Sequence, residues 1–261
     1  MNVDVQDAIK PLRKLRKLLK DFPAHPTPEQ VHELRTRARR VEAVVHAIAG
    51  PNDSAADRLL ERIKPLRKAA GKVRDMDVLF AKLCRLSGNS GAEAVIQLGQ
   101  HLSTLRQHHS DRLRRVVSRR GAAACRALKY FVRNLEQNST GGALQTCAVP
   151  QRLANKLEHW PKLHTGNLHQ FRIRAKELRY MLQLSNDASQ RRLDALDETK
   201  DVAGEWHDWV ELRAEAEEVL DPGADREILR RINAITREKF REALAAANRL
   251  RGLHVNLPRA A

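Results

Sequence analysis

Apolar residues recur every three or four positions along nearly the whole chain. This spacing places them on one face of a helix, where they can pack into a core. Two of the resulting apolar stripes consist of Val31, Leu34, Ala38, Val41 and Val45, and of Leu168, Phe171, Ala175, Leu178 and Leu182. Alternation of apolar and polar residues, the pattern of a strand, never persists long enough to predict one. The pattern therefore predicts an all-α fold.

The ends of the apolar stripes and the helix-breaking residues predict nine helices. They cover residues 4–20, 28–49, 54–86, 92–118, 121–137, 151–159, 167–185, 188–220 and 224–251. Thr27, Pro28 and Gln30 form a helix-start signal, with Thr27 as N-cap and Gln30 placed for a capping box. Pro65 should kink or interrupt the third helix. The segment 138–150 contains Gly, Ser and Pro and is predicted to be a linker.

Two segments of the first half recur in the second half, in the same order. His32-Glu-Leu-Arg35-Thr-Arg37-Ala38-Arg39 aligns with His169-Gln-Phe-Arg172-Ile-Arg174-Ala175-Lys176, 137 residues later. A second set, Arg67, Ala70, Gly71 and Asp75, aligns with Lys200, Ala203, Gly204 and Asp208, 133 residues later. The repeat predicts one domain, 1–261, made of two similar antiparallel helical bundles, about 1–137 and 151–261, related by a pseudo-two-fold axis.

The charge of the chain indicates an anionic partner. Lys and Arg number 48 against 32 Asp and Glu, which gives a net charge of +16. Nucleic acid, an anionic membrane surface and other polyanions all fit this excess. Aromatic residues make up only 4%, which disfavours base stacking as the main binding mode. No apolar run approaches the roughly 20 residues that span a bilayer, so no membrane partner is expected.

Basic residues with helical spacing suggest what kind of anion is bound. His32, Arg35 and Arg39 share one helix face, and His169, Arg172 and Lys176 share the matching face of the repeat, with Arg179 beside them. Like charges gathered along one groove repel each other unless an anion neutralises them. Phosphate fits because the planar guanidinium of arginine binds two of its oxygens at once.

Four motifs, taken in order, resemble those of a known family. The two histidine segments are each His-x-apolar-Arg followed four positions later by a basic residue, and Leu178-Arg179-Tyr180 extends the second. Gly71-Lys-Val-Arg74-Asp75-Met-Asp77-Val78 resembles a Gly-x-x-Arg-Asp-x-Asp-Val segment, and Gly204-Glu-Trp-His207-Asp208 resembles a closing motif. Together they resemble the conserved-histidine α-helical domains, the CHAD family.

The resemblance implies two helical bundles around a basic central groove or pore that holds inorganic polyphosphate. It implies a cytoplasmic, non-catalytic binding protein, with polyphosphate granules as a candidate location. The binding residues it implies in the two histidine segments are His32, Arg35, Arg39 and Arg40, and His169, Arg172, Lys176 and Arg179. Basic residues of the other motifs and of the repeat complete the predicted site: Arg67, Lys68, Arg74, Lys200 and His207.

Other functions remain as alternatives. A nucleic-acid-binding helical protein is the first, and a hydrolase or kinase acting on phosphate chains is the second. The second is disfavoured because the sequence contains no GxxxxGK[ST] loop, no HExxH and no GxSxG. No cofactor or metal is therefore expected. The three cysteines, Cys84, Cys125 and Cys147, include no CxxC pair and fit a reducing cytoplasm. The sequence determines neither the oligomeric state nor the preferred chain length.

Several charged residues outside these stripes have expected roles. Glu42 and Glu177 stand where the family often has a basic residue, and they should pair with Arg39 or Lys176 or weaken binding. The carboxylates of Asp75, Asp77 and Asp208 should hold nearby basic side chains in place. The dense basic run Arg112, Arg114, Arg115, Arg119 and Arg120 should be mostly solvated.

Overall fold

The structure is a computed structural model that describes residues 2–50, 52–86, 92–138, 143–145, 149–183 and 189–253. Within these ranges it contains helices α1 (Val5–Lys20), α2 (Pro28–Ile48), α3 (Ser54–Leu86), α4 (Ala92–Asn138), α5 (Val149–Glu158), α6 (Leu168–Leu182), α7 (Gln190–Val219) and α8 (Arg226–Gly252). A short antiparallel ribbon pairs β1 (Asn2–Asp4) with β2 (Ala143–Gln145). The predicted all-α class is confirmed, with this ribbon as a small addition.

Local sequence explains where helix α2 begins and which face it buries. The Thr27 hydroxyl accepts a hydrogen bond from the Gln30 amide, and the Gln30 side chain accepts one from the Thr27 amide at 2.9 Å. This is the predicted capping box, which satisfies two of the free donors at a helix start. All ten residues of the two predicted apolar stripes are buried with 0% exposure. The helical periodicity therefore identified the buried faces of α2 and α6.

One predicted helix boundary inside the described ranges is wrong. Helix α4 continues from Ala92 to Asn138, so the predicted break between residues 118 and 121 does not exist. Gly121 stands at the predicted break, and a glycine inside a helix lowers the stability of the helix by only about 1 kcal/mol. The burial of Leu113, Ala124 and Leu128 on this helix outweighs that cost. Helix α3 covers Ser54–Leu86, as predicted, and it is not interrupted at Pro65, whose neighbour Leu66 is buried. The other predicted effect of Pro65, a kink, stays a prediction.

The predicted linker and two predicted helix ends fall partly on residues that are not described. Asn138 ends α4, residues 143–145 form β2, and α5 begins at Val149. Residues 139–142 and 146–148 of the predicted linker lie outside the described residues, as do the predicted helix ends at 185 and 188. The pseudo-two-fold relation between the halves stays a prediction.

Three apolar clusters form the core. The first is built by α1, α2, the first half of α3 and the second half of α4. The second is built mainly by α5, α6, the first half of α7 and the second half of α8. The third forms where the end of α3 and the start of α4 meet the end of α7 and the start of α8. The third cluster therefore joins the two halves of the chain.

The contacts between the halves decide which side chains can meet. Helix α2 contacts α6, and helix α3 contacts α7. Because α2 and α6 carry the two histidine segments, their basic stripes lie against each other at the centre of the molecule. None of the described helices combines the length and apolar character needed to cross a bilayer.

Candidate functional site

Four basic residues of α2 and α6 form a cluster at the helix contact. Burial and the charges of Arg39, Arg172 and Arg35 lower the pKa of Lys176 to about 6. Burial and the charges of Arg35, Arg67 and Arg172 lower the pKa of Arg39 to about 10. These mutual effects show that Arg35, Arg39, Arg172 and Lys176 are close enough to repel one another. We call these four residues the central cluster.

Two guanidinium groups of the central cluster carry buried nitrogens with unused hydrogen-bonding capacity. The Nε atoms of Arg39 and Arg172 are buried and have no hydrogen-bond partner among the described residues. A buried donor left without an acceptor costs about 1–3 kcal/mol, and more when it is charged. The cluster therefore combines charge repulsion with unused donors, and an anionic acceptor would relieve both.

Helices α2 and α6 each pack an arginine against a glycine of the next helix in the chain, α3 and α7 respectively. The Nε atom of Arg35 lies 3.6 Å from the position that a Cβ would take on Gly71 of α3. The Nη2 atom of Arg172 lies 3.0 Å from the corresponding position on Gly204 of α7. The aligned arginines and glycines of the sequence repeat therefore make equivalent contacts, and the absence of a side chain at Gly204 leaves room for the Arg172 guanidinium.

A groove on the α3 side of the central cluster has a volume of about 590 Å³. Its basic lining comes from three helices: Arg35 and Arg39 of α2, Lys64, Arg67, Lys68 and Lys72 of α3, and His109 and Arg112 of α4. We call this space the central groove. It brings the predicted residues Arg67 and Lys68 to the cluster, as well as four basic residues that were not in the predicted site, Lys64, Lys72, His109 and Arg112.

A smaller pocket of about 330 Å³ adjoins the central groove. Arg39 and Arg67 line both spaces, and Lys176 and Tyr180 line the smaller one. The four residues Arg114, Arg115, Arg119 and Arg120 of the dense basic run are exposed, as predicted. Their charges face bulk solvent on α4 and do not line either space.

His32 and Arg40 line a different pocket. It has a volume of about 400 Å³ and also contains Lys10, Lys14 and Arg37. Arg40 turns away from the central groove because one residue along a helix rotates the side chain by about 100° relative to Arg39. His32 stays electrostatically connected to the centre, since burial and the charges of Arg74, Arg35 and Lys176 lower its pKa.

Acidic residues pair with several predicted site residues. The Asp75 carboxylate lies 3.2 Å from Nη2 of Arg35, so its partner is on α2 and not the neighbouring Arg74. Glu42 pairs with Arg67 at 2.7 Å. Glu177 pairs with Arg174 at 2.8 Å. The expectation that Glu42 and Glu177 pair with Arg39 or Lys176 is therefore wrong, because each glutamate finds an arginine nearer to its own face.

Arg179 and Lys200 share one carboxylate beside the central cluster. Asp197 of α7 forms an ion pair with Arg179 of α6, and it accepts a hydrogen bond from Lys200 at 2.8 Å. Lys200 also lies 3.1 Å from Asp201. These carboxylates lower the positive charge that Arg179 and Lys200 can present to a ligand. Both residues lie near the site, but they are more fully neutralised than the central cluster.

His169 and His207 form a pair of stacked rings between α6 and α7. Their ring centroids are 3.9 Å apart, and the rings are tilted by 46°. Burial, followed by His169 and Arg172, lowers the pKa of His207 to about 3. Burial, followed by Arg172 and Arg39, also lowers the pKa of His169. Both rings are therefore neutral near pH 7, and each can donate from one nitrogen and accept at the other.

The predicted supporting role of the other aspartates is consistent with their contacts. Asp77 accepts a hydrogen bond from Arg106 at 2.6 Å. Asp208 lies 4.0 Å from Lys82, which also pairs with Glu205 at 2.6 Å. Burial raises the pKa of Asp208 to about 6, and the charges of Glu205 and Asp75 add to this increase. Together they outweigh the opposite effect of Lys82 and Arg172. Sequence analysis missed Lys82, since no local pattern indicates that a lysine is buried.

One group of side chains within the described ranges has a spacing compatible with a metal ion. The ligand atoms of His101, Glu215 and Glu218 all lie within 4.8 Å of one another. His101 and Glu215 already contact each other at 2.8 Å between α4 and α7. This hydrogen bond accounts for the proximity of His101 and Glu215, and the group lies outside the central groove lining.

Comparisons with known proteins agree with the motifs. The profile of the CHAD domain family matches residues 7–217. The chain belongs to the CHAD domain family. The matched residues include every residue of the predicted site, and all of α8 lies beyond them. No curated protein matches the sequence.

Two solved structures share the fold of this CHAD domain. One is the CHAD domain from the plant Ricinus communis, which has a TM-score of 0.64 and 18% identity and matches over 95% of this chain and 89% of that one. The other is PptA from Streptomyces chartreusis, which has a TM-score of 0.65 and 16% identity and matches over 95% of this chain and 99% of that one. These likenesses establish the fold.

Proposed function

We propose that this CHAD domain binds inorganic polyphosphate in the central groove and does not convert it. The observation that carries the proposal is the central cluster itself. Arg39 and Arg172 hold buried Nε atoms that have no hydrogen-bond partner in the described part of the chain, beside Lys176, whose pKa is lowered to about 6. Phosphate oxygens would accept from these donors and neutralise the repelling charges.

The extent of the basic lining favours a chain of phosphates over a single ion. The central groove and the adjoining pocket share Arg39 and Arg67, and together they have a volume several times that of one phosphate group. A polyanion carries charge along its whole length and can contact arginines and lysines of α2, α3 and α6 at once. A single phosphate would leave most of these cations unpaired.

The groove suits polyphosphate better than nucleic acid. Among the described residues, its lining contains no Trp, Tyr or Phe on which a base could stack, and the pocket beside it offers one such ring, Tyr180. Proteins that bind single strands without sequence preference use such stacking as a main source of affinity. Nucleic acid would therefore bind in the central groove mainly through its phosphates.

The proposal of a non-catalytic site rests on the engagement of the nearby carboxylates. Asp75 is paired with Arg35, and Glu42 is paired with Arg67. A carboxylate held by an arginine is a weak general base, because the guanidinium stabilises its charged form. Incubation of the protein with polyphosphate and Mg²⁺ is expected to release no phosphate, and steady release would support the hydrolase alternative.

Competition tests the choice of ligand. A fluorescent long-chain polyphosphate is bound to the protein and displaced by unlabelled polyphosphate, single-stranded DNA or RNA at equal phosphate concentration and equal salt. Polyphosphate is expected to displace the probe at a much lower concentration than either nucleic acid. Equal displacement would favour a general polyanion surface or a nucleic-acid-binding protein. If polyphosphate is the ligand in cells, a fluorescently tagged chain is expected to co-localise with polyphosphate granules.

The affinity for polyphosphate is expected to fall as the pH rises above about 6. In the free protein, burial and the charges of Arg39 and Arg172 lower the pKa of Lys176 from 10.5 to about 6. A bound polyanion stabilises the ammonium form and raises this pKa, so binding takes up a proton above pH 6. Uptake of one proton corresponds to a loss of up to about tenfold in affinity per pH unit.

The variant Lys176→Arg is the control for this pH dependence, because arginine stays charged throughout. Binding measured between about pH 5.5 and 8.5 should vary less with pH in the variant than in the wild type. A depressed lysine pKa also means that the unfolded chain binds more protons above pH 6. The free protein should therefore become more stable as the pH rises from about 6 towards 10. The same pH slope in both proteins would contradict the role of Lys176.

Substitution of the two glycines should have unequal effects. Gly204→Ala is expected to weaken polyphosphate binding several-fold, because its Cβ would lie 3.0 Å from Nη2 of Arg172 and displace the guanidinium. Gly71→Ala is the matched control, since its Cβ would lie at an ordinary contact distance of 3.6 Å from Arg35. Both changes remove the roughly 0.5–1 kcal/mol that glycine costs inside a helix, so both proteins should fold. Equal affinities would show that the position of Arg172 does not matter.

A further inference from the structure

A second groove lies between the start of α6, the middle of α7 and α8, on the other side of the histidine pair. Its volume is about 730 Å³. We propose that this groove, which we call the α8 groove, binds a nucleotide, with the base against its apolar wall and the phosphates on its arginines. This site is separate from the proposed polyphosphate groove, and all of its α8 residues lie beyond the part of the chain that matches the family.

Three arginines supply the positive charge of the α8 groove. They are Arg213 of α7 and Arg237 and Arg241 of α8. Arg237 and Arg241 are four residues apart on one exposed helix face and form no ion pair with the described residues. Arg213 has one partner, Glu217, at 3.6 Å. Among the described residues, no acidic side chain lines the α8 groove, whereas Asp75 lines the central groove and Glu42 the pocket beside it.

The apolar wall distinguishes the α8 groove from the central groove. It is formed by Trp206, Val210 and Phe240, and the rings of Trp206 and Phe240 are 5.6 Å apart. A phosphate chain has no apolar surface to place against such a wall. Covering the wall with a phosphate chain would therefore contribute little binding free energy. A nucleotide has both parts, because its planar base packs on aromatic rings while its phosphates bind guanidinium groups.

Two nitrogens at this groove add unused hydrogen-bonding capacity. Nδ1 of His169 and Nε of Arg213 are buried and make no hydrogen bond within the described part of the chain. His169 and Arg213 both line the α8 groove. A ligand with several oxygen and nitrogen atoms, such as the sugar, base and phosphates of a nucleotide, can satisfy both.

Calorimetric titration with ATP and with inorganic tripolyphosphate distinguishes binding of a nucleotide from binding of a phosphate chain alone. The two ligands carry a similar phosphate chain, but only ATP carries a base. ATP is expected to bind about tenfold more tightly or better, as stacking of one base would provide. Phe240→Leu keeps an apolar side chain of similar size and should lower the affinity for ATP while leaving that for tripolyphosphate unchanged. The comparison is repeated on the variant Arg35→Glu/Arg172→Glu, whose central groove should no longer hold tripolyphosphate. Equal affinities of this variant for ATP and tripolyphosphate would overturn the proposal.

The double variant Arg237→Gln/Arg241→Gln tests the location. Both residues are exposed, so the protein should fold, and the ATP affinity should fall by about tenfold or more. The control Arg114→Gln/Arg119→Gln removes the same charge from exposed positions of α4 and should change ATP affinity by less than about threefold. An equal loss in the control would overturn the site.

Long-chain polyphosphate binding is measured on the same two variants. The variant at Arg237 and Arg241 should lose no more polyphosphate affinity than the control does. If it loses as much affinity for polyphosphate as for ATP, the α8 groove belongs to the polyphosphate path and the nucleotide proposal is wrong. The proposed polyphosphate function would stand in that case. It would fail separately if the wild type bound no polyphosphate.

Discussion

Reversal of the charges of Arg35 and Arg172 together is expected to abolish polyphosphate binding, with an affinity loss of about a thousandfold or more. The two residues lie on α2 and α6 and belong to the central cluster, where each is close enough to lower the pKa of Lys176. A carboxylate at either position would repel the phosphates that the remaining cations attract. Binding of labelled polyphosphate by Arg35→Glu/Arg172→Glu measures the effect.

The control for this variant is Arg114→Glu/Arg119→Glu. It changes the net charge by the same amount, but both arginines are exposed on α4 and line neither the central groove nor the pocket beside it. Exposed charges meet bulk water and contribute little to a specific contact. Circular dichroism and thermal unfolding should show that both double variants remain helical. A loss of binding in the control as large as that in the site variant would mean that the protein is a diffuse cationic surface.

Polyphosphate binding is also expected to depend steeply on salt. A protein that neutralises phosphates releases condensed counterions, so the logarithm of the affinity falls linearly with the logarithm of the salt concentration. The central groove is lined by Arg35, Arg39, Lys64, Arg67, Lys68, Lys72 and Arg112, and Arg172 and Lys176 lie in the adjacent cluster. By analogy with DNA, six to ten phosphate contacts correspond to a loss of roughly 10³ to 10⁵ in affinity between about 50 and 200 mM salt.

Titration at four or more salt concentrations gives the slope, which reports the number of phosphates neutralised. Neutral variants of single groove residues, such as Lys68→Gln, should reduce the slope by about one each. Arg119→Gln on the exposed face of α4 should leave the slope nearly unchanged. A flat response in the wild type would contradict a groove that neutralises many phosphates and would indicate a few peripheral contacts.

The sequence alone determined the helices and their buried faces, because these depend on contacts within a few residues. The capping signal at Thr27 and the apolar stripes of α2 and α6 indicate local hydrogen bonding and one-sided burial. The prediction was wrong where it ended a long helix just before Gly121, because packing from distant residues outweighs the local cost of a glycine there.

The sequence also indicated the residues of the central cluster. Helical spacing groups Arg35 with Arg39 and Arg172 with Lys176, and the repeat relates the two pairs. Only the tertiary structure decided that the pairs meet, since α2 and α6 are more than a hundred residues apart and their contact depends on how two helices pack. The same dependence explains why Arg40 lines another pocket although it follows Arg39 directly.

Partners between helices were the least predictable feature. The pairing of Arg67 with Glu42, the burial of Lys82 beside Glu205 and the α8 groove all depend on rotations and distances between helices. A shift of one residue turns a side chain by about 100°, so a small change in packing replaces one partner with another. A sequence records which faces are apolar or charged, and the packing of the helices decides which charged faces meet.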